Sequence, residues 1–387
     1  MVKAIKVMLI PNNVQKTKMF QYAGASRFAY NWALAREIEN YEKGGGFISD
    51  AELRKEFTKL RHSDEYAWLL NISNNVTKQA IKDACTAYKN FFKGLQKFPR
   101  FKSKKRSMPK FYQDNVKIRF SNTHVKFEGF SSSRKANKQK MNWVRLAEHG
   151  RIPTDVKYMN PRISFDGLNW WISVCVEFPD CRETLNDDGV GIDLGIKDLA
   201  ICSDGTKYKN INKSQKVKKL EKQKRRLQRS ISRSYEKNKK GESYCKTNNV
   251  IKKEKLLLKR NHRLTNIRKN YLNQTISEII NRKPRFICIE DLNVSGMMKN
   301  RHLSKAVQEQ GFFWFRKQLE YKCSDKGIQL IVADRFYPSS KLCSCCGNIK
   351  KDLKLSDRVY RCACGNMIDR DFQASINLKT YGEKFAS

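Results

Sequence analysis

Apolar residues recur at two different spacings along this chain, and the change from one to the other divides it. Residues 1–10 are a Val- and Ile-rich run that ends at Pro11-Asn12-Asn13 and predicts a strand. From about residue 16 to 42 the spacing is helical, with Phe20, Ala23, Phe28, Trp32 and Ala35 on one face and Gly44-Gly45-Gly46 as the stop. A second helix is predicted from Ser49 to about Leu60, and a third from about Ser73 to Phe92 with Val76, Ala80, Ala84, Ala87 and Phe91 inward. Between about 115 and 180 the period falls to two, in the runs 116–120, 125–127, 143–146, 162–165 and 170–176, with Gly, Asn and Pro between them. Short strands so spaced predict a small β-barrel or sandwich, which the opening strand, having no sheet of its own, is expected to complete. Residues 182–188 are mostly polar, carry Glu183, Asp187 and Asp188, and read as a linker.

Beyond the linker strands and helices alternate, which predicts an α/β unit. Gly189 to Cys202 reads as two adjoining strands, Pro284 to Glu290 and Ile328 to Ala333 as buried strands, and Leu303 to Cys323 as one helix. Residues 213–269 place Val217, Leu220, Leu227, Ile231, Leu256, Leu264 and Ile267 at helical spacing around Gly241, which predicts a long helical hairpin.

Charge changes the picture. The 387 residues hold 79 Lys and Arg against 38 Asp and Glu, a net +41, while 40% apolar content still permits packed cores. Such an excess calls for a polyanion. Segment 213–269 alone holds 22 basic residues against 4 acids, too few to pair with them, so phosphates are the expected neutralising partner; Arg225, Arg226 and Arg229 are candidate contacts. The stretch Phe98 to Tyr112 interleaves Phe98, Phe101, Phe111 and Tyr112 with Arg100, Lys102, Lys104, Lys105, Arg106 and Lys110, a mixture suited to backbone contact with base stacking. Lys78, Gln79 and Lys82 on the third helix are residue types able to read base edges. No apolar run approaches the ~20 residues of a membrane helix and the N-terminus lacks a signal-peptide core, so a cytoplasmic, DNA-associated location is expected.

Two constellations suggest metals. Asp193 lies between Gly191 and Gly195 in an apolar strand, Glu290 ends the run Phe-Ile-Cys-Ile, and Asp371 opens the last helical stretch. Acids inside or at the ends of buried strands are costly unless a cation neutralises them. Two Mg²⁺ ions about 4 Å apart, with Mn²⁺ as an alternative, would suit such carboxylates and drive phosphodiester hydrolysis. Asp198, Asp291 and Asp369 lie near enough in sequence to compete for the same role. Of twelve cysteines, five crowd into 343–364 and the rest are scattered, which suggests a reducing compartment and a metal site. Cys343-Ser-Cys-Cys346-Gly347 and Cys362-Ala-Cys364-Gly365 approximate two zinc knuckles, with Cys343, Cys346, Cys362 and Cys364 as ligands of a structural Zn²⁺ and Cys345 as the spare. The second pair is C-x-C where C-x-x-C is usual.

The order Gly-Ile-Asp193-Leu-Gly, Ile-Glu290-Asp-Leu-Asn, Cys343-Ser-Cys-Cys-Gly, Cys364-Gly and Asp369-Arg-Asp371-Phe-Gln-Ala-Ser-Ile-Asn resembles TnpB, the insertion-sequence-encoded RNA-guided nucleases related to type V CRISPR effectors. Arg27-Phe-Ala-Tyr-Asn-Trp32 and Pro99-Arg-Phe-Lys102 resemble the same family. The resemblance implies a multidomain α+β and α/β protein: a β-barrel wedge domain (1–12 and 115–182) with a helical recognition insert (13–114). An RNase-H-like RuvC domain (189–339 and 367–387, with the hairpin at 213–282) would follow, interrupted by a zinc ribbon (340–366). It implies Asp193, Glu290 and Asp371 as catalytic acids, a guide RNA as cofactor, one protein per guide, and cleavage of double-stranded DNA beside a short target-adjacent motif. Gln373-Ala-Ser replaces the family's commoner Asn-Ala-Ala. The alternatives are a compact type V CRISPR effector, an RNA-guided DNA-binding repressor, whose simplest signature would be loss of one of the three acids, and a strand-transfer transposase.

Overall fold

The computed structural model describes residues 1–130, 140–179, 183–354 and 357–386. Cys181, among the scattered thiols, and Arg182, with which the expected linker opens, lie outside the described residues. The chain divides into two compact units, Met1–Pro179 and Asp180–Ser387.

The first unit opens with β1 (Val2–Ile10), followed by α1 (Asn13–Glu42), α2 (Asp50–Arg61) and α3 (Asn74–Phe92). Then come β2 (Lys110–Tyr112), β3 (Arg119–Phe120), β4 (His124–Lys126), β5 (Trp143–Leu146), β6 (Tyr158–Phe165) and β7 (Trp170–Glu177). These strands form one antiparallel sheet in the order β2-β6-β7-β1-β5-β4-β3, so the opening strand sits at its centre, paired with β7 along its length and with β5 at its end. Helices and sheet share one hydrophobic core. Local signals set the helix starts. Asn12 and Gln15 form a reciprocal capping box on α1, Ser49 and Glu52 another on α2. Gln15 is itself buried and its amide donates to the carbonyls of Met141 and Trp143, tying the start of α1 to β5.

Three expectations for this unit need correction. On α1 the buried residues include Met19, Tyr22, Ala25, Ala29, Ala33 and Leu34, whereas Phe20 and Ala35 are exposed and, of the expected face, Ala23 alone is buried. The helix is apolar on more than one side, so its sequence does not define a single face. Val116 and Lys117 form a turn, not a strand. The basic stretch to Tyr112 ends in β2, where Phe111 is fully buried against Tyr22 and cannot stack on a base.

The second unit comprises β8 (Val190–Leu194), β9 (Asp198–Cys202) and β10 (Lys207–Lys209), then α4 (Gln215–Lys237), a small hairpin of β11 (Lys239–Lys240) and β12 (Ser243–Tyr244), and α5 (Asn248–Asn281). They are followed by β13 (Phe286–Glu290), α6 (Val294–Lys299), α7 (Ser304–Gln310), α8 (Phe312–Lys326), β14 (Gln329–Ala333), β15 (Val359–Arg361), β16 (Met367–Asp369) and α9 (Arg370–Phe385). The main sheet runs β10-β9-β8-β13-β14, antiparallel from β10 to β8 and parallel from β8 to β14.

Alternation along the central strands sorts their side chains between two layers. Val190, Ile192, Leu194, Ile287 and Ile289 pack with α5 and α8, while Phe286 and Cys288 pack with Leu378 of α9. The region expected as one helix from Leu303 to Cys323 is two, because Gly311 at φ +71° ends α7 and caps α8. The hairpin has the expected form, with Ser214 and Thr247 as N-caps and Gly241 at φ +58° in its tip, although Leu256 is exposed. The segment expected as a linker is tied to this unit from Glu183 onward, through ion pairs of Glu183 with Lys283 and Lys326.

Candidate active site and metal centre

Position 191 explains how Asp193 comes to be where it is. A Cβ there would strike the Ser375 carbonyl and the Lys379 nitrogen of α9, so glycine is what lets that helix lie against β8. Residues 191 and 193 share a face, and Asp193 therefore points to the layer of α9. The parallel register pairs Cys288 with Gly191 and Ile289 with Ile192. One residue on, Glu290 stands beside Asp193 on the same face, at the end of β13. Asp371 lies in the first turn of α9. Acids separated by about a hundred and by eighty residues of chain thus become neighbours: Glu290 by strand register, and Asp371 from the start of the helix laid on that face.

Their electrostatics agree with this placement. Loss of surrounding water, and then the fields of Asp371 and Glu290, push the Asp193 carboxyl up to about 8, with Arg370 opposing. Glu290 is also raised, by burial first and by Asp291 second. Carboxyls that resist ionisation because they are buried, with other carboxylates near them, fit a divalent cation, whose charge opposes both causes.

The competing acids separate from the triad by their partners. Asp291 accepts from Arg316 at 2.7 Å and from Arg335 at 2.5 and 3.1 Å, and these hydrogen bonds hold it below the usual carboxylate range. Asp369 caps α9, one oxygen accepting the N–H groups of Asp371 and Phe372 at 3.1 Å. Asp198 opens β9 and lines a different hollow, with Lys197 and Lys213.

The sulfurs of Cys343, Cys346, Cys362 and Cys364 all lie within 4.8 Å of one another, with 3.7 Å between Cys343 and Cys364 and 3.6 Å between Cys346 and Cys362. A tetrahedron of ~2.3 Å Zn–S bonds has edges of about 3.8 Å, so the donor set fits Zn²⁺. Cys345 is exposed and outside the cluster. The short second pair has a structural basis. In each knuckle the glycine after the second cysteine returns its N–H to the first cysteine's carbonyl, Gly347 to Cys343 and Gly365 to Cys362. Both glycines have positive φ, 73° and 91°, so the C-x-C turn is the C-x-x-C turn closed one residue tighter.

Sequence reading passed over the role of Gln373. It is fully buried on α9, its amide donates to the Leu342 carbonyl at 2.6 Å, and its oxygen accepts from Ser344 and Asn366. Asn377 donates to Ser339 and Leu342 in the same way. The helix that presents Asp371 is therefore fastened to the cysteine loop, and two amide residues four apart on one helix, Gln373 and Asn377, are the sequence signal of such a tie.

Candidate nucleic-acid contacts divide into free and engaged groups. Arg100, Lys104, Lys82, Arg225, Arg226 and Arg229 are exposed, and Lys78 is half-buried. Gln79 donates to Asp83, which is held in turn by Arg162 at 2.5 and 3.0 Å. Lys102 is folded inward, its ammonium 3.0 Å from the centre of the Tyr30 ring and its backbone paired with the Asn31 side chain. Burial, then the nearby Lys110, lowers it to about 7. Two short motifs far apart in sequence, around Tyr30-Asn31 and around Lys102, thus fit each other rather than a ligand.

An α/β unit with neighbouring buried acids, a four-cysteine cluster fastened to the helix that carries one of them, and a basic hairpin defines a class that comparison with known proteins identifies. The family model described as "Probable transposase" matches residues 173–301, and that described as "Cas12f1-like, TNB domain" matches residues 312–378. Across 379 residues the chain is 30% identical to "Putative RNA-guided DNA endonuclease InsQ" of Escherichia coli (strain K12), covering 93% of this chain and 87% of that protein. The chain belongs to the TnpB family. A "Putative RNA-guided DNA endonuclease" of Streptomyces pristinaespiralis is 28% identical, over 98% of this chain and 89% of its own. Among solved structures, the Cas12f1-sgRNA-target DNA complex shares the fold, with a TM-score of 0.59 at 13% identity over 94% of this chain and 82% of that one. A model described as "Helix-turn-helix domain" matches residues 1–46. That description does not suit what is found there, a strand followed by one uninterrupted helix.

Proposed function

We propose that this protein is an RNA-guided DNA endonuclease of a transposable element. A guide RNA, one per protein, occupies its basic surfaces and selects the target by base pairing, while the protein reads a short flanking motif. The RNase-H-like RuvC unit, 189–339 and 367–387, then hydrolyses both strands of the DNA at Asp193, Glu290 and Asp371. The first unit serves as wedge, with its helices as the recognition part. The observation that carries this reading is the proximity of Glu290 and of Asp371, at the start of α9, to the buried Asp193, in a chain of net charge +41.

Asp193, Glu290 and Asp371 would hold Mg²⁺, and the ion would supply water activation and charge stabilisation on the leaving oxygen without a histidine base. Asp193, Glu290 and Asp371 supply the anionic oxygens. Beside Glu290 a hollow of about 250 Å³ is lined by Asp291, Arg316 and Arg335. Asp291 orients both guanidinium groups there, where they offer positive charge to a strand's phosphates. Cys343, Cys346, Cys362 and Cys364, holding Zn²⁺, keep the loop that anchors α9 in place.

Asp193→Ala is expected to abolish Mg²⁺-dependent cleavage of a guided target and to leave guided binding near wild type. Cleavage assays and gel-shift titrations with the co-purifying RNA check both, and undiminished cutting by the variant would refute the site.

A further inference from the structure

A second hollow in the same unit takes no part in the cleavage described above. It lies between the hairpin helices α4 and α5 and the corner where α7 meets α8, with a volume of about 580 Å³. That is room for one nucleotide-sized group and far too little for a duplex. Trp314 of α8 lines it, packed in part against the core of the sheet. Gln228, Asn261 and Gln308 line it too, and their side-chain amides form no hydrogen bond with another described residue.

The charge of the hollow is arranged around one residue. Arg268, 18% exposed, donates to Asn212 at 2.7 Å and pairs with Glu221 at 3.1 Å and Glu309 at 3.3 Å. Both lining acids are thereby engaged from within. Of the other lining cations, Lys224 and Lys305 stand at 3.7 and 3.9 Å from those acids, while Arg225 and Lys269 are exposed and have no acidic partner among the described residues. An indole face stacks on any base, free amides can pair with a base edge, and uncommitted cations can take the phosphates on either side. A purely apolar ligand would leave the amides unsatisfied, and a bare phosphate would make no use of the indole.

We propose that this hollow receives a single unpaired nucleobase of a bound nucleic-acid strand, stacked on Trp314, with its flanking phosphates on Arg225 and Lys269. The inference rests on the nucleic-acid-guided function proposed above. Its test is a pair of substitutions, Trp314→Leu, which keeps apolar bulk but removes the stacking face, and Trp314→Phe, which keeps a stacking face. Full-length protein, freed of co-purified RNA by high salt and with no divalent ion added, is titrated separately with that RNA and with single-stranded DNA. Trp314→Leu is expected to weaken binding of one probe about ten-fold at unchanged melting temperature, with Trp314→Phe restoring most of it. The affected probe identifies the strand. Wild-type affinity in both variants for both probes overturns the proposal, as does equal weakening of both with a lowered melting temperature. Wild-type protein that binds neither probe overturns the functional reading along with it.

Discussion

Asp193 makes a measurable link between protonation and folding. Its native carboxyl titrates near 8 because water is excluded and Asp371 and Glu290 face it, whereas an unfolded aspartate titrates near its ordinary 3.8. Between those values the native state binds the extra proton. Metal-free protein is therefore fully stabilised by this group only below about pH 4 and loses that contribution as pH rises through about 8. Melting temperature without added Mg²⁺ is expected to fall from pH 5 to pH 8 and to recover when Mg²⁺ is supplied; Asp193→Asn should flatten the slope, and an equally steep Asn variant would contradict the assignment. Residue types announced this site plainly, since an acid in an apolar strand demands a neutralising partner. What they withheld was the partner of each neighbour. Asp291 and Asp369 looked equivalent to the triad until Arg316, Arg335 and the amides at the start of α9 were seen to occupy them.

At the scale of elements, α9 connects two sites that are separate motifs in the sequence. It carries Asp371 at its start, packs on β8 through the space left at Gly191, and grips the cysteine loop through Gln373 and Asn377. Gln373→Ala would remove its hydrogen bonds with Leu342, Ser344 and Asn366, a loss of about 1–3 kcal/mol in denaturant unfolding. Cleavage should fall with it, while zinc content stays near one per chain by elemental analysis. Cys364→Ser, in contrast, is expected to lower both zinc content and cleavage; full zinc in that variant would remove Cys364 from the ligand set. The short C-x-C spacing seemed a departure from zinc geometry when read along the chain. It is resolved by a turn one residue tighter, a feature of backbone closure that spacing alone does not express. The break at Gly311 was missed for a related reason, because glycine inside a helical pattern is as often tolerated as it is a stop.

Across the whole molecule, the excess of 41 positive charges is a statement about partners that salt can test. Replacing Arg225, Arg226 and Arg229 together by Gln should weaken RNA binding and lower the slope of log affinity against log salt by about two. A slope equal to wild type would mean that these exposed arginines touch no phosphate. Sequence by itself determined most of the order of strands and helices, the size of the charge excess, the set of candidate acids and the cysteine cluster. All of these are local: they depend on periodicity, residue type and spacing within a few turns of chain. Only the tertiary structure decided which cations remain free for a ligand, which acids share a face, and which face of α1 enters the core. Those outcomes depend on partners tens to hundreds of residues away, as when Tyr30 and Asn31 take up Lys102, or Asp83 takes up Gln79 and Arg162. A side chain's charge is written at its own position, but whether that charge is spent inside the fold depends on what the fold brings beside it.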